Sequence, residues 1–327
     1  MDLNLVKIKL EENLSIHLEH CLPHHAIKEG HRYAVFPPGK LFRPQLVWAI
    51  YQDLAVPQTD EWGPSFPHAL LASALELHHA YTLAHDDLPC MDNGMERRGK
   101  PSLHRAFGEW QALLIGDGLL NASYQLLANI PQVMKVATWC LGPKGLIQGQ
   151  VLDLSQEMTH DFPTLRLTHL YKTGRLIQCA LISSFLLISP HERRTKSPRL
   201  VDLLRLGEAI GLSFQFLDDL TEFIRPLDAH EEQINCWANF EQQSAQELLK
   251  NLQTLERIIK QSSLPVLAQV LSHYFLQIKK QLEEGQKDIL NHWRKLREKK
   301  GMNLAANLDL TPVMIFLNRL SQGHEPL

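Results

Sequence analysis

Two stretches of this chain share one design: an apolar run at helical spacing that ends in adjacent aspartates. The first, Leu75–Arg98, reads LELHHAYTLAHDDLPCMDNGMERR. Leu75, Ala80, Leu83 and Ala84 recur at helical intervals, which predicts a buried helix delivering Asp86 and Asp87 to its C-terminal end. Pro89, with no N–H to offer, stops that helix. A straight helix would carry Asp92 well off the Asp86 face, so Leu88–Met91 must curl back for the carboxylates to meet. The second stretch, Gly207–Phe223, reads GEAIGLSFQFLDDLTEF and ends in Asp218 and Asp219, with Glu222 a turn later and Gln215 about a turn earlier. In a continuous helix Asp218 and Glu222 share a face. Buried acids without cations are costly, so two such helix ends in one chain point to a metal. Carboxylates without zinc-type His or Cys ligands suit Mg²⁺, which keeps waters and shares its sphere with a phosphate substrate. Arg97 and Arg98 supply the charge that such a phosphate needs.

No segment has a convincing strand period and no linker appears, so an all-α chain is expected. It reads as a single domain, residues 1–327, with the acidic ends facing each other across the cavity of a helical bundle. The 44% hydrophobic content supports a substantial core. A net charge of −3, with no basic stripe, gives no reason to expect nucleic acid. The five cysteines are scattered with no CxxC pair, as in a reducing compartment. The start, MDLNLVKIKLEENL, has acids where a signal peptide needs an apolar core, and the apolar run around Cys179–Ile188 is too short to span a bilayer. The cytoplasm is the expected location.

Along the chain, Leu3–Leu22 reads as an amphipathic helix with His17 and His20 at its surface. Pro37–Pro44, PPGKLFRP, is a turn ahead of an apolar helix Gln45–Leu54; Lys40 and Arg43 make it a candidate anion site, with a solvated turn as the plain alternative. Val56–Pro67 is a loop, and Asp117, after a glycine, reads as the cap of a helix starting there. Gln150 and Asp153 sit on an apolar helix, either as a structural pair or as part of a site. Lys172 and Thr173 precede Gly174 inside an apolar run, a poor place for a solvated lysine. Ser189–Pro198 is a charged exposed loop, and Gln281–Lys300 a mixed-charge surface helix with a solvated basic end.

The order and spacing of GKLFRP, HHAYTLAHDDLPCMDNGMERRGKPSLH, GQVLDL, KTG and FQFLDD resemble the trans-prenyltransferases of the polyprenyl diphosphate synthase family, the bacterial farnesyl diphosphate synthases in particular. The resemblance implies the isoprenoid synthase fold, an all-α helical bundle around a central active-site cavity, as a homodimer. It implies condensation of isopentenyl diphosphate with an allylic diphosphate, dimethylallyl or geranyl, to farnesyl diphosphate. Three Mg²⁺ ions would be held through Asp86, Asp92, Asp218 and Glu222, with Asp87 and Asp219 supporting that shell. Lys40, Arg43, His79 and Arg98 would bind isopentenyl diphosphate; Arg97, Lys172, Thr173 and Gln215 would contact the allylic diphosphate. Tyr81, with Thr82 beside it, would set chain length as the cavity floor.

Two departures from the family pattern stand out. Glu222 replaces the last aspartate of DDxxD, and Glu232 stands where the family has a lysine, which removes one cation from the allylic diphosphate. The following element has become EQINCWANF. The runner-up is a degenerate homologue that binds diphosphates without efficient turnover. A terpene cyclase is disfavoured because Glu222 occupies the Ser or Thr position of such enzymes. An HD-type metal phosphohydrolase would use the His85–Asp86 pair but needs further ligand histidines on separate helices.

Overall fold

The computed structural model of the protein describes residues 2–22, 24–25, 27–56, 62–194, 197–301 and 308–321. It is built of helices, joined by a single two-residue hairpin among the described residues. The chain divides into two compact units, residues 1–138 with 180–196, and residues 139–179 with 197–327. No helix among the described residues is long and apolar enough to cross a membrane.

In the first unit, α1 (Leu3–Cys21), α2 (Ile27–Val35), α3 (Phe42–Leu54) and α4 (Pro67–Asp86) surround the core, and α5 (Leu103–Phe107) leads into α6 (Glu109–Ala128). Helix α4 packs chiefly on α6 and α3. Leu71, Leu75, Leu77, Ala80 and Ala84 are buried along α4, as its apolar period requires. The helix starts with Pro67 in its first turn, where a missing N–H costs nothing, and ends at Asp86, three residues before Pro89. Helix α3 begins at Phe42 rather than Gln45, so Pro44 lies in its first turn and Arg43 is helical.

Two expectations fail here. His17 is buried, its ring nitrogens 2.7 Å from Ser73 Oγ and 2.7 Å from the Pro64 carbonyl. Asp117 lies in the middle of α6 and caps nothing. The glycines on either side of it are packing sites: a Cβ on Gly116 would fall 2.2 Å from His85 Nε2, and one on Gly118 would fall 2.3 Å from His31 Nε2. Of the Val56–Pro67 loop, residues 57–61 lie outside the described residues, and Pro67 is already helical.

The second unit takes in the end of α7 (Met134–Leu141), then α8 (Leu146–Leu154) and α9 (Phe162–His169). A single π-helical turn, Leu170–Gly174, enters α10 (Arg175–Ile188), whose later residues belong to the first unit. Then come α11 (Pro198–Thr221), two one-turn helices α12 (Glu231–Ile234) and α13 (Cys236–Asn239), α14 (Glu241–Ser262), the 35-residue α15 (Pro265–Lys299) and α16 (Thr311–Ser321). Helix α11 packs on α14 and on the π turn. The expected loop at Ser189–Pro198 contains a 3₁₀ segment, Pro190–Arg194, with residues 195–196 outside the described residues. The basic end of α15 is solvated as expected, with Arg294, Lys295, Lys299 and Lys300 exposed, and it also carries ion pairs: Arg297 donates to Glu241 Oε2 at 2.6 Å, and Lys299 reaches both carboxylate oxygens of Glu232 at 2.8 and 2.9 Å.

Candidate active site

The first acidic motif forms as its spacing requires. Pro89 turns the chain out of α4, and the loop closes with Met91 N on the Leu88 carbonyl and Asp92 N on the Asp86 carbonyl at 2.9 Å each. Asp92 is thereby returned to the end of the helix that carries Asp86. Asp87 is 2% exposed and is gripped by Arg97, whose Nε donates to Oδ2 at 3.1 Å and Nη2 to Oδ1 at 2.5 Å. That two-pronged contact, with the neighbouring acids Asp86 and Asp92, holds the Arg97 guanidinium firmly charged. Asp87 therefore serves as an anchor for Arg97. The motif runs into the hairpin of β1 (Glu96–Arg97) and β2 (Lys100–Pro101), whose turn residues Arg98 and Gly99 both have positive φ, 54° and 73°.

The hairpin carries Arg98 to the PPGK turn. Its Nη1 donates to the carbonyls of Val35 and Pro37 at 3.4 and 3.3 Å, and a Cβ on Gly39 would lie 3.3 Å from its guanidinium. Lys100 Nζ ties the other strand to the Tyr33 and Phe36 carbonyls at 2.7 and 2.9 Å. On α4, His79 is held neutral, its pKa driven well below the usual histidine value by burial and then by the charges of Arg43, Arg98 and Arg97. Those three guanidinia thus converge on the face of α4 that bears His79, and Lys40 occupies the turn against which Arg98 lies. Sequence reasoning passed over Glu76, a carboxylate 3% exposed with Oε1 4.0 Å from Arg98 Nη2. Burial raises its pKa against the pull of Arg43 and Arg98. Its signal was visible: one acid on an otherwise apolar helix face. Beside the cluster, Ala80, Leu83, Ala84, Asp87, Arg97 and Arg98 line a small open cleft.

Tyr81 stands edge-on to two histidines of α4, His78 at 4.9 Å and His85 at 5.1 Å between ring centres. Thr82 turns its hydroxyl back onto the His79 carbonyl at 2.8 Å. His85 Nε2 sits 3.1 Å from the Leu113 carbonyl and 3.7 Å from Asp117 Oδ1, so it is engaged by α6.

In the second unit the KTG residues and the second acidic motif meet. Thr173 Oγ donates to Gln215 Oε1 at 3.0 Å, and Gln215 Nε2 donates to Asp219 Oδ1 at 2.8 Å. The π turn brings this about, since its wide winding lets Gly174 press against Gly211, where an added Cβ would fall 2.4 Å from the Gly174 Cα. Lys172 Nζ forms an ion pair with Asp153. Asp153 is thus joined to the site rather than to Gln150, whose Nε2 is buried without a hydrogen-bond partner.

Asp219 is 5% exposed and accepts from Gln215 at Oδ1 and, at 3.2 Å, from Cys236 N at Oδ2, with His169 Nε2 3.9 Å from Oδ2. Asp218, by contrast, is exposed. Glu222 follows directly on α11 with a helical backbone, φ −58° and ψ −31°, and its N–H bonds the Asp218 carbonyl one turn back, so the two share a face as expected; Glu222 then opens a 3₁₀ turn. Burial and the adjacent Asp219 push the Glu222 carboxyl up to about 8. Asn235 and His169, two contacts of this motif, carried no sequence signal that the motif search weighed.

The donors fit a hard divalent cation. They are carboxylates, and the Glu222 carboxyl shows the cost of crowding such groups without a positive charge. Among the described residues no three His, Cys, Asp or Glu side chains form a closed cage. Mg²⁺ needs none, since one or two carboxylates with waters and substrate phosphates complete its octahedron.

The polyprenyl synthetase family model matches residues 24–234. A geranylgeranyl diphosphate synthase of Cyanophora paradoxa is 37% identical over 210 residues, 61% of this chain and 66% of that protein. A farnesyl diphosphate synthase of Geobacillus stearothermophilus is 33% identical over 235 residues, 67% of this chain and 74% of that protein. Among solved structures, a Helicobacter pylori geranyltransferase complexed with magnesium and isoprenyl diphosphate superposes with a TM-score of 0.60 at 29% identity, covering 89% of this chain and 97% of that one.

Proposed function

Because this chain belongs to the polyprenyl synthetase family, we propose that it joins isopentenyl diphosphate to an allylic diphosphate, dimethylallyl or geranyl, and stops at farnesyl diphosphate. What carries the reading is the guanidinium cluster of Arg43, Arg97 and Arg98 around a neutral His79, beside an acidic loop folded back on itself. Two positively charged subsites are what two diphosphates require.

In this reading Lys40, Arg43, His79 and Arg98 hold isopentenyl diphosphate. Neutral His79 donates a hydrogen bond without adding charge to three guanidinia. Arg97, Lys172, Thr173 and Gln215 hold the allylic diphosphate. Asp86, Asp92, Asp218 and Glu222 hold Mg²⁺, three ions by family resemblance, and Asp87 and Asp219 fix the neighbouring cation and amide. When bound, the metal neutralises charge on the leaving diphosphate. The allylic C–O bond breaks with its electron pair leaving on diphosphate, and the arginines and Lys172 stabilise that charge. The isopentenyl double bond attacks the allylic carbon, and the departing diphosphate accepts the proton lost from the product. Ala80, Leu83 and Ala84 present only hydrocarbon to the cleft, which keeps water from the cation.

Tyr81 is the floor that ends growth at fifteen carbons; relatives of both product lengths leave this assignment to experiment. Exposed Trp110, Leu113 and Leu114 on α6 favour a homodimer. The free cysteines support a cytoplasmic location. The reading is tested by incubating the protein with Mg²⁺, isopentenyl diphosphate and dimethylallyl or geranyl diphosphate, then measuring product length. Binding without chain growth would favour the degenerate homologue, the second reading, which the carboxylate at Glu232 supports.

A further inference from the structure

The stretch EQINCWANF, which departs from the family pattern, closes over the second acidic motif. Asn235 joins α12 to α13, is 1% exposed, and has a partner at every polar position. Its Oδ1 accepts from Trp237 N at 2.9 Å and Ala238 N at 3.2 Å, an N-cap for α13. Its Nδ2 donates to the Asp219 carbonyl at 2.7 Å and to Glu222 Oε2 at 2.9 Å. A cap requires only the oxygen, and serine would serve. The amide nitrogen is the part that a cap does not use, and both of its hydrogens go to the end of α11.

We propose that Asn235 is a positioning residue for the second acidic motif, orienting the Glu222 carboxylate to receive a divalent cation with its diphosphate. This rests on the reading of Glu222 as a metal ligand. A neutral amide orients a carboxylate and leaves its charge for a cation, whereas a lysine or arginine would cancel it. The nearby lysines are kept off: Lys299 is on Glu232, and Lys300 donates to the Ala238 carbonyl at 3.2 Å and to Asn239 Oδ1 at 3.0 Å. Glutamate at 222 and asparagine at 235 are then a matched pair. Glu222 Oε2 meets the amide at 2.9 Å, a reach that an aspartate, one methylene shorter, would not have from the same backbone. The departure from DDxxD and the altered stretch after it become one adjustment.

The test separates the two halves of the asparagine. Asn235→Ser keeps a capping oxygen and removes the donor; Glu222→Asp keeps the charge and shortens the reach. Mg²⁺ binding in the presence of inorganic pyrophosphate is measured by calorimetry, with KM for each substrate alongside. Each variant is expected to raise the Mg²⁺ half-saturation and the allylic KM about tenfold while the isopentenyl KM stays within twofold. The double variant should be no worse than the poorer single one. Asn235→Ser within twofold of wild type in Mg²⁺ half-saturation, or effects that multiply in the double variant, overturns the inference. Should Asn235→Ser not fold, Asn235→Thr, which likewise keeps a capping oxygen and lacks the amide donor, decides by the same threshold. A wild type that makes no prenyl product yet loses Mg²⁺–pyrophosphate binding on Asn235→Ser defeats the proposed reaction and leaves this inference standing.

Discussion

Gly211→Ala tests whether the second diphosphate subsite depends on two backbones touching. The new Cβ would stand 2.4 Å from the Gly174 Cα and 3.0 Å from its N, whereas ordinary contact begins at 3.4 Å. Neither neighbour is a side chain that can swing away, so α11 and the π turn must part by about 1 Å, the difference between 3.4 and 2.4 Å. The Thr173–Gln215 hydrogen bond, 3.0 Å long and one turn along, is then stretched past its useful range. Overpacking costs about 1–3 kcal/mol, and roughly 1 kcal/mol returns because alanine is the better helix former. The protein should therefore fold, with a Tm lower by only a few degrees. Activity should suffer far more, because a misplacement of about 1 Å can cost on the order of 10²-fold in rate. The expected result is a drop of that size in kcat/KM for the allylic substrate, with the isopentenyl KM little changed. Gly207→Ala is the graded control: its Cβ meets Gln178 Cα at 2.9 Å, half the intrusion, and should cost only several-fold. A folded Gly211→Ala protein with kcat/KM within threefold of wild type would refute the idea that this contact positions Lys172 and Thr173.

Three further outcomes are expected. Tyr81→Ala should release products of twenty carbons or more, seen by mass spectrometry; unchanged fifteen-carbon product removes the floor from Tyr81. Arg97→Lys keeps the charge but loses the paired grip on Asp87, and should lower kcat/KM about tenfold, some 1.4 kcal/mol; an unchanged value would mean that orientation is irrelevant there. His78, buried and then opposed by Arg43, has its pKa lowered to about 3, so between that value and the ordinary 6.5 the unfolded chain binds the extra proton. Its contribution to stability is therefore intact above pH 6.5 and is lost as the pH falls, by about 2 kcal/mol at pH 5. Compared by chemical denaturation at pH 7 and pH 5, His78→Leu should lose about 2 kcal/mol less than wild type, and equal losses would show that the native state protonates this ring freely.

Much of the architecture was legible because it is local. Helical periods, Pro67 and Pro89 mark α4, and the six-residue return from Asp86 to Asp92 implied the curl that Asp92 N makes on the Asp86 carbonyl. What escaped was non-local. His17 looks like a surface residue until Ser73, fifty-six positions away, supplies its partner. Asp117 reads as a cap after a glycine, yet Gly116 and Gly118 are flat places inside α6 for histidines from α4 and α2. EQINCWANF departs from the family pattern, and the partners of its asparagine, the Asp219 carbonyl and Glu222, lie 16 and 13 residues away in sequence.

Each acidic motif, taken within its own unit, divides its labour in the same way. In the first pair Asp87 is 2% exposed and fastened to Arg97; in the second Asp219 is 5% exposed and fastened to Gln215 and Cys236 N. Their chain neighbours are more open: Asp86 is half-buried and Asp218 is exposed. A carboxylate on a helix end has free rotamers and would waste binding free energy on ordering them. A buried neighbour locked by two hydrogen bonds holds the backbone that carries the more open one, so part of that ordering is complete before substrate arrives. In the proposed site the buried aspartate of each pair contributes rigidity and its more open neighbour contributes charge. This explains why two adjacent acids recur where one would supply the ligand, and why a chain that has altered the residues around its second motif has kept an amide on Glu222.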